Sequence, residues 1–179
     1  MAGGAEFRSE IEAALRQAGN LAQECRGSEP PELKPDGSLV TVGDRRVEDY
    51  LRDALGRLLP GAAFWGEESG HAEPAADGLW AVDPIDGTSN YAFGSPLWGV
   101  SVALVQDRRP VVGGIFLPDL GECYISEAGA GAWKDGRPLE PLLRGPVKPF
   151  ELIGASDPAI RQVGRNGLPG KLRCAGSVV

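Results

Sequence analysis

Two acidic clusters stand where the chain has just left an apolar run. Phe64-Trp65 is followed by Gly66-Glu67-Glu68-Ser69, and Leu79-Trp80-Ala81-Val82 runs into Asp83-Pro84-Ile85-Asp86-Gly87-Thr88-Ser89-Asn90. Most Asp and Glu side chains are solvated surface charge, but carboxylates at the ends of buried segments lie on the rim of a core, where clefts form. Asp83 and Asp86 flank a proline, which stiffens the chain and argues against a continuous strand sending the two carboxylates to opposite faces. A turn there converges both side chains and the Ile85 carbonyl on a hard cation such as Mg2+, which takes oxygen ligands. Gly87, Thr88 and Ser89 then offer backbone amides at a helix start, an arrangement that suits phosphate. The same spacing also reads as a plain turn with an Asx cap. Spacing leaves both readings open.

These residues need a frame, and the hydrophobic pattern supplies one. Phe7, Ile11, Ala14, Leu15, Ala18, Leu21, Ala22 and Cys25 recur at helical spacing and predict a first amphipathic helix. The stretch 27–38, with Pro30, Pro31, Pro35, Gly27 and Gly37, predicts an irregular surface loop. Asp44 reads as the N-cap of a second helix carrying Val47, Tyr50, Leu51, Ala54, Leu55 and Leu58 and ending at Pro60. Beyond it the β-branched and aromatic runs 63–65, 79–82, 99–105, 111–116 and 122–126 predict strands, with turns at 107–110 and 118–121. A further short strand precedes the turn at 134–137, and the tail reads as a strand at 150–153, a polar turn or helix to Asn166 and a strand at 171–174. Helices followed by consecutive strands predict an α+β fold, two N-terminal helices packed on a largely antiparallel sheet.

Composition narrows the chemistry. The 179 residues carry 25 acidic and 18 basic side chains, a net charge of -7 that argues against nucleic acid or an anionic membrane as partner. The single histidine, His71, sits in a polar loop, which removes His-rich zinc sites and a Ser-His-Asp apparatus. Cys25, Cys123 and Cys174 form no CxxC pair and read as free thiols in a reducing cytosol. With no apolar leader and no membrane-length apolar run, a cytoplasmic protein is expected. Catalysis, if present, rests on carboxylates, hydroxyls, backbone amides and bound metal.

The motif Asp83-Pro-Ile-Asp-Gly-Thr-Ser-Asn-Tyr91, preceded by Leu79-Trp-Ala-Val82, resembles the signature of the inositol monophosphatase family, lithium-sensitive phosphatases that depend on magnesium. Ser38-Leu-Val-Thr-Val-Gly-Asp44-Arg-Arg-Val-Glu48, Trp65-Gly-Glu-Glu-Ser69, Phe93-Gly-Ser-Pro-Leu-Trp-Gly-Val100, Glu127-Ala-Gly-Ala-Gly-Ala-Trp-Lys134 and Cys174-Ala-Gly-Ser177 are similar to further family segments, in the same order. The resemblance implies the first half of an αβαβα sandwich, with residues 1–145 as a metal-bearing α+β domain and 146–179 as the start of a second α/β domain. It implies that Glu67, Asp83, the Ile85 carbonyl and Asp86 hold Mg2+, with Asp83 bridging two ions. Glu67 and Thr88 would orient and help deprotonate the attacking water, with Asp44 acting from behind. Asp86, Gly87, Thr88 and Ser89 would meet the substrate, the Gly87 and Thr88 amides on its phosphate.

The same resemblance places Lys34 and Asp36 on a mobile, metal-responsive loop, while Lys34 also reads as a solvated surface charge. It makes Trp98 a core or dimer-contact residue rather than a substrate contact, and the protein a homodimer. The family continues into a second α/β portion bearing a further metal-binding Asp in a Trp-Asp context, and this sequence reaches Val179 without one. The implied function is hydrolysis of a small polyol or sugar phosphate. The alternatives are histidinol phosphate or another small phosphate ester, since Pro96-Leu-Trp-Gly99 is similar to the histidinol-phosphatase branch, or a catalytically incomplete metal- or anion-binding fragment.

Overall fold

A computed structural model describes residues 4–70, 72–141, 145–146, 148, 152–155 and 171–174 of the chain. The first periodic segment forms α1 (Gly4–Cys25), whose stripe of Ile11, Leu15, Ala18 and Ala22 is fully buried. Residues 27–38 are irregular and exposed for most of their length, as expected, except at Glu32 and Leu33. β1 (Glu32–Leu33) pairs antiparallel with β2 (Leu39–Val40). The turn between them is closed by Lys34 N–H to Ser38 O (2.8 Å) and Gly37 N–H to Lys34 O (3.0 Å), and Asp36 Oδ1 accepts from Ser38 N and Oγ at 2.9 and 2.7 Å. Proline and glycine content concealed a ribbon only two residues long on each side.

α2 (Val42–Leu58) starts from Thr41, not from Asp44 as expected. Thr41 Oγ1 accepts from the Gly43 and Asp44 amides at 3.1 and 3.4 Å, and Asp44 Oδ2 reaches back to the Thr41 amide at 2.8 Å. This reciprocal capping box satisfies the orphan donors of the first turn from both sides, so Asp44 serves as its third helical residue.

The strand-rich stretch forms β3 (Ala63–Gly66), β4 (Leu79–Asp86), β5 (Gly99–Gln106), β6 (Arg109–Leu117), β7 (Glu122–Glu127), β8 (Gly131–Lys134) and β9 (Arg137–Pro138). A short helix, α3 (Thr88–Ala92), follows β4. The seven strands lie in sequence order in one sheet, antiparallel throughout except for the β3–β4 pair. Tight hairpins hold the order. Asp107 and Arg108 adopt φ of 48° and 61°, the doubly left-handed turn that matches strand twist between β5 and β6.

Alternation along β5 buries Val100, Val102 and Leu104 under the helices and turns Ser101 and Ala103 to the other face. α1 lies across β5, β6 and β7, and α2 packs on α1 and β4. Contact is close because Gly19 has no side chain: a Cβ there would stand 2.5 Å from the Phe116 ring. Each fully buried Leu, Ile or Val contributes about 1.5–3 kcal/mol. β10 (Leu152–Ala155) and β11 (Lys171–Cys174) pair parallel in a sheet of their own. The polar segment to Asn166, His71 and the Ala175-Gly-Ser177 motif lie outside the described residues. Among those described, Cys25 and Cys123 are free and buried, and no helix is long and apolar enough to cross a membrane.

Candidate active site

The parallel β3–β4 pair sets the site. Gly66 and Val82 are in register, so the next residues on each strand, Glu67 and Asp83, leave the pairing side by side at the same end. The Glu67 amide is tied there by donating to Val82 O at 3.1 Å. Antiparallel pairing would send the residues after each strand to opposite ends of the pair.

The strand does not turn at Pro84. β4 runs on to Asp86, which corrects the expectation that proline would break it, but the register slips. Asp83 opposes Ser101 while Asp86 opposes Gly99, so β4 spends one residue more than β5 over this interval. That is a β-bulge, at a proline with no N–H to give the ladder. Unbroken pairing would place Ile85 opposite Gly99. The bulge gives that place to Asp86 and returns it to the side of Asp83, while the Ile85 side chain is buried. A one-residue phase shift, rather than a turn, brings Asp86 to the face of Asp83.

The consequence is electrostatic. Burial, then the charges of Glu67 and Asp86, push the Asp83 carboxyl up to about 8. Its Oδ1 is buried with no hydrogen-bond donor. A buried carboxylate oxygen in that condition is costly unless a cation or proton reaches it. Glu67 and Asp83 line a cleft of ≈ 340 Å³ with Trp65, Ala81, Ser101 and Ala103. Among the described residues no three acidic, histidine or cysteine side chains are gathered tightly enough to make a finished metal cage. The local donor set of carboxylates and a backbone carbonyl is nonetheless all oxygen, the kind that suits Mg2+, Mn2+ or Ca2+ rather than a soft metal. The orphaned Asp83 oxygen fits such an ion.

Behind this group lies Asp44, 1% exposed. Its Oδ2 accepts from the Thr41 amide (2.8 Å) and hydroxyl (2.6 Å), and its Oδ1 faces Thr88 Oγ1 at 3.3 Å. Burial raises the Asp44 pKa, opposed by the hydrogen bonds from Thr41. Thr88 Oγ1 is also 3.1 Å from the Ile85 carbonyl, so its one proton chooses between two acceptors. Gly87, at φ 82°, supplies the left-handed bend from bulge into α3 and no side-chain cap for the first-turn amides. Ser89 is exposed on that first turn.

The β1–β2 turn brings Lys34 over the site. Its Nζ lies 2.5 Å from Glu68 Oε1 and 3.4 Å from Glu67 Oε1. Burial lowers the Lys34 pKa, but the hydrogen bond and charge of Glu68 outweigh it and the net shift is upward. Trp98 is fully buried, its ring edge-on to Tyr91 at 4.9 Å and its Nε1 donating to Asp119 Oδ2 at 2.8 Å, so it is a core residue.

Two residues that the sequence did not single out stand against the Gly66–Ser69 loop. Glu48 Oε2 accepts the Glu68 amide at 2.8 Å, and Arg52 Nη2 reaches Glu48 Oε1 (3.1 Å) and Ser69 Oγ (2.6 Å). The available signal was Asp44 and Glu48, four apart, sitting inside the apolar stripe that Val47, Leu51 and Leu55 define on α2.

The sequence model of the inositol monophosphatase family matches residues 5–161. An inositol-1-monophosphatase of Mesorhizobium japonicum is 40% identical over 108 residues, 60% of this chain and 41% of that protein. A histidinol-phosphatase of Mycobacterium tuberculosis is 41% identical over 102 residues, 57% of this chain and 39% of that protein. The chain thus spans about two fifths of the length of these curated relatives. Among solved structures, the Thermotoga maritima IMPase superposes with a TM-score of 0.80 at 26% identity, over 93% of this chain and 67% of that one. The α+β architecture and the family match over most of the sequence agree: the chain belongs to the inositol monophosphatase family.

Proposed function

We propose that the chain carries the metal-bearing part of a Mg2+-dependent phosphomonoesterase acting on a small polyol or sugar phosphate. The observation that carries this reading is the buried, donorless Asp83 oxygen beside Glu67 and Asp86. Glu67, Asp83, the Ile85 carbonyl and Asp86 would hold the metal. Bound there, Mg2+ supplies acidification of water and neutralisation of phosphoryl charge.

The chain's own groups do the rest. If the Thr88 proton goes to Asp44 Oδ1, the hydroxyl oxygen is left to accept a hydrogen bond from the attacking water. Thr88 thereby aims the water, and Asp44, clamped by two donors from Thr41, keeps Thr88 aimed. Glu67, exposed beside Asp83, would take the water's proton. Asp86, Gly87, Thr88 and Ser89 form the substrate edge, with first-turn amides that no side chain caps offered to the phosphate oxygens.

In the same reading, residues 1–145 form the metal-bearing domain, and the separate β10–β11 pair begins a second α/β domain. The protein is a lithium-inhibited cytoplasmic homodimer whose acidic balance gives it no nucleic-acid or membrane partner. Histidinol phosphate is the second substrate to consider, because the Mycobacterium tuberculosis histidinol-phosphatase is as similar as the inositol phosphatase. The test is phosphate release from inositol 1-phosphate, histidinol phosphate and fructose 1,6-bisphosphate with Mg2+. Release no greater than that of Asp83→Asn refutes catalysis by this chain and leaves the binding-fragment reading.

A further inference from the structure

We infer that Glu48 is a positioning residue for Glu67, a role that rests on the metal site proposed above. Glu48 lies on α2 with its side chain 4% exposed. A carboxylate buried to that extent is retained at a cost unless both oxygens are engaged. Both are: one by the Glu68 amide, the other by Arg52. Arg52 extends the grip, with its guanidinium 4.2 Å above the Phe64 ring on β3 and its Nη2 on Ser69 Oγ. This pair therefore touches the chain on both sides of Glu67 but not Glu67 itself.

The other flank is Gly66. A Cβ on Gly66 would stand 2.2 Å from the Glu48 carboxyl carbon, so the carboxylate occupies the space a side chain at 66 would need. Glycine before Glu67 and a buried Glu one helix away are thus a single device. The backbone is threaded over the carboxylate, and Glu68 N–H closes on it. Glu67, 46% exposed at its side chain, is held beside Asp83 by its amide on Val82 O and, on both flanks, by this backbone anchorage. Groups that hold metal ligands in place in this way commonly affect metal affinity by about 10–100-fold.

The experiment measures Mn2+ binding to the full chain by electron paramagnetic resonance, Mn2+ sharing the preference for oxygen ligands. Wild type, Glu48→Gln, Glu48→Ala, Gly66→Ala, the Glu48→Ala/Gly66→Ala double variant and Asp83→Asn are compared, with far-UV circular dichroism checking the fold. Glu48→Ala and Gly66→Ala are each expected to weaken binding by about tenfold or more. The double variant is expected to be no weaker than Glu48→Ala alone, because the added methyl enters space the carboxylate has left. Glu48→Gln keeps an acceptor for Glu68 N–H and restores most of the affinity. In metal-free protein, NMR exchange of the Glu68 amide quickens in Glu48→Ala and stays slow in Glu48→Gln.

Wild-type binding with Glu48→Ala unchanged overturns the role of Glu48 alone. Fully additive losses in the double variant overturn the shared-space geometry that defines the role. A wild type that binds Mn2+ no better than Asp83→Asn overturns the metal site, and the role with it.

Discussion

Replacing Asp83 with Asn is expected to make the metal-free protein more stable. In the folded chain the Asp83 carboxyl titrates at about 8 against an ordinary 3.8, because it is buried beside Glu67 and Asp86. Between those values the folded state keeps a proton that the unfolded state has released. Stability contributed by this group is therefore complete below pH ~4, falls as pH rises, and levels off once the folded carboxyl has ionised. The slope for one group is about 1.4 kcal/mol per pH unit. Asparagine has the same shape and no proton to lose, so its advantage grows with pH. For a chain of this size 1 kcal/mol corresponds to about 2–4 °C in Tm, so the gap between the two proteins widens by about 3–6 °C per unit from pH 5 to 7. Differential scanning calorimetry in chelator at pH 5, 6 and 7 reads this directly. Mg2+ at a hundredfold excess over Kd narrows the gap at pH 6 and 7, since wild type gains about 2.7 kcal/mol and the variant does not. Parallel Tm profiles in chelator would refute the buried, repelled carboxyl. Equal Mg2+ shifts in both proteins would refute Asp83 as a ligand.

Gly87→Ala places a Cβ at φ 82°, which costs about 1–2 kcal/mol in urea unfolding and lowers phosphate release by at least about tenfold; unchanged stability contradicts the left-handed bend. Thr88→Val keeps the shape and removes the hydroxyl, and is expected to lower kcat by about 100-fold or more while Mn2+ binding persists, with Thr88→Ser recovering most activity. Gly19→Ala opposes two effects: about 1 kcal/mol of helix propensity gained, against about 1–3 kcal/mol for a methyl forced 2.5 Å from the Phe116 ring and 2.7 Å from Pro118. Phe116 is itself buried and cannot swing away, so net destabilisation is expected in denaturant titration.

The parts of the fold legible in the sequence are those written in long periods. The stripe from Phe7 to Cys25 and the β-branched runs of β5 to β7 announce themselves because many residues repeat one message. What was hidden depends on single residues whose meaning lies across a contact. Thr41 and Asp44 are both good caps, and only the reciprocal hydrogen bonds assign the position. Pro84 reads as a strand breaker until β5 is present to hold both sides of the bulge in register. Glu48 sits in the apolar stripe of α2, but what its carboxylate does there becomes evident only when Gly66 is laid over it. The local motifs singled out Glu67, Asp83, Asp86 and Thr88 as candidates, whereas the long-range pairing of β3 with β4 is what makes Glu67 and Asp83 neighbours.

That one parallel pair also bears on the order of events in folding. From β4 to β9 each strand pairs with its sequence neighbour, and from β5 onward the connections are short turns, so zipping proceeds with little loop closure. β3 is an edge strand joined to β4 across residues 67–78 and held beneath α2, contacts that carry a larger entropic toll before any reward. The mutual repulsion of Glu67 and Asp83 falls on this same late step. A cation received there, as proposed, would stabilise the finished structure far more than the barrier leading to it. Its kinetic signature would be slower unfolding with an almost unchanged refolding rate, so that the ion would govern how long the native state lasts rather than how fast it is reached.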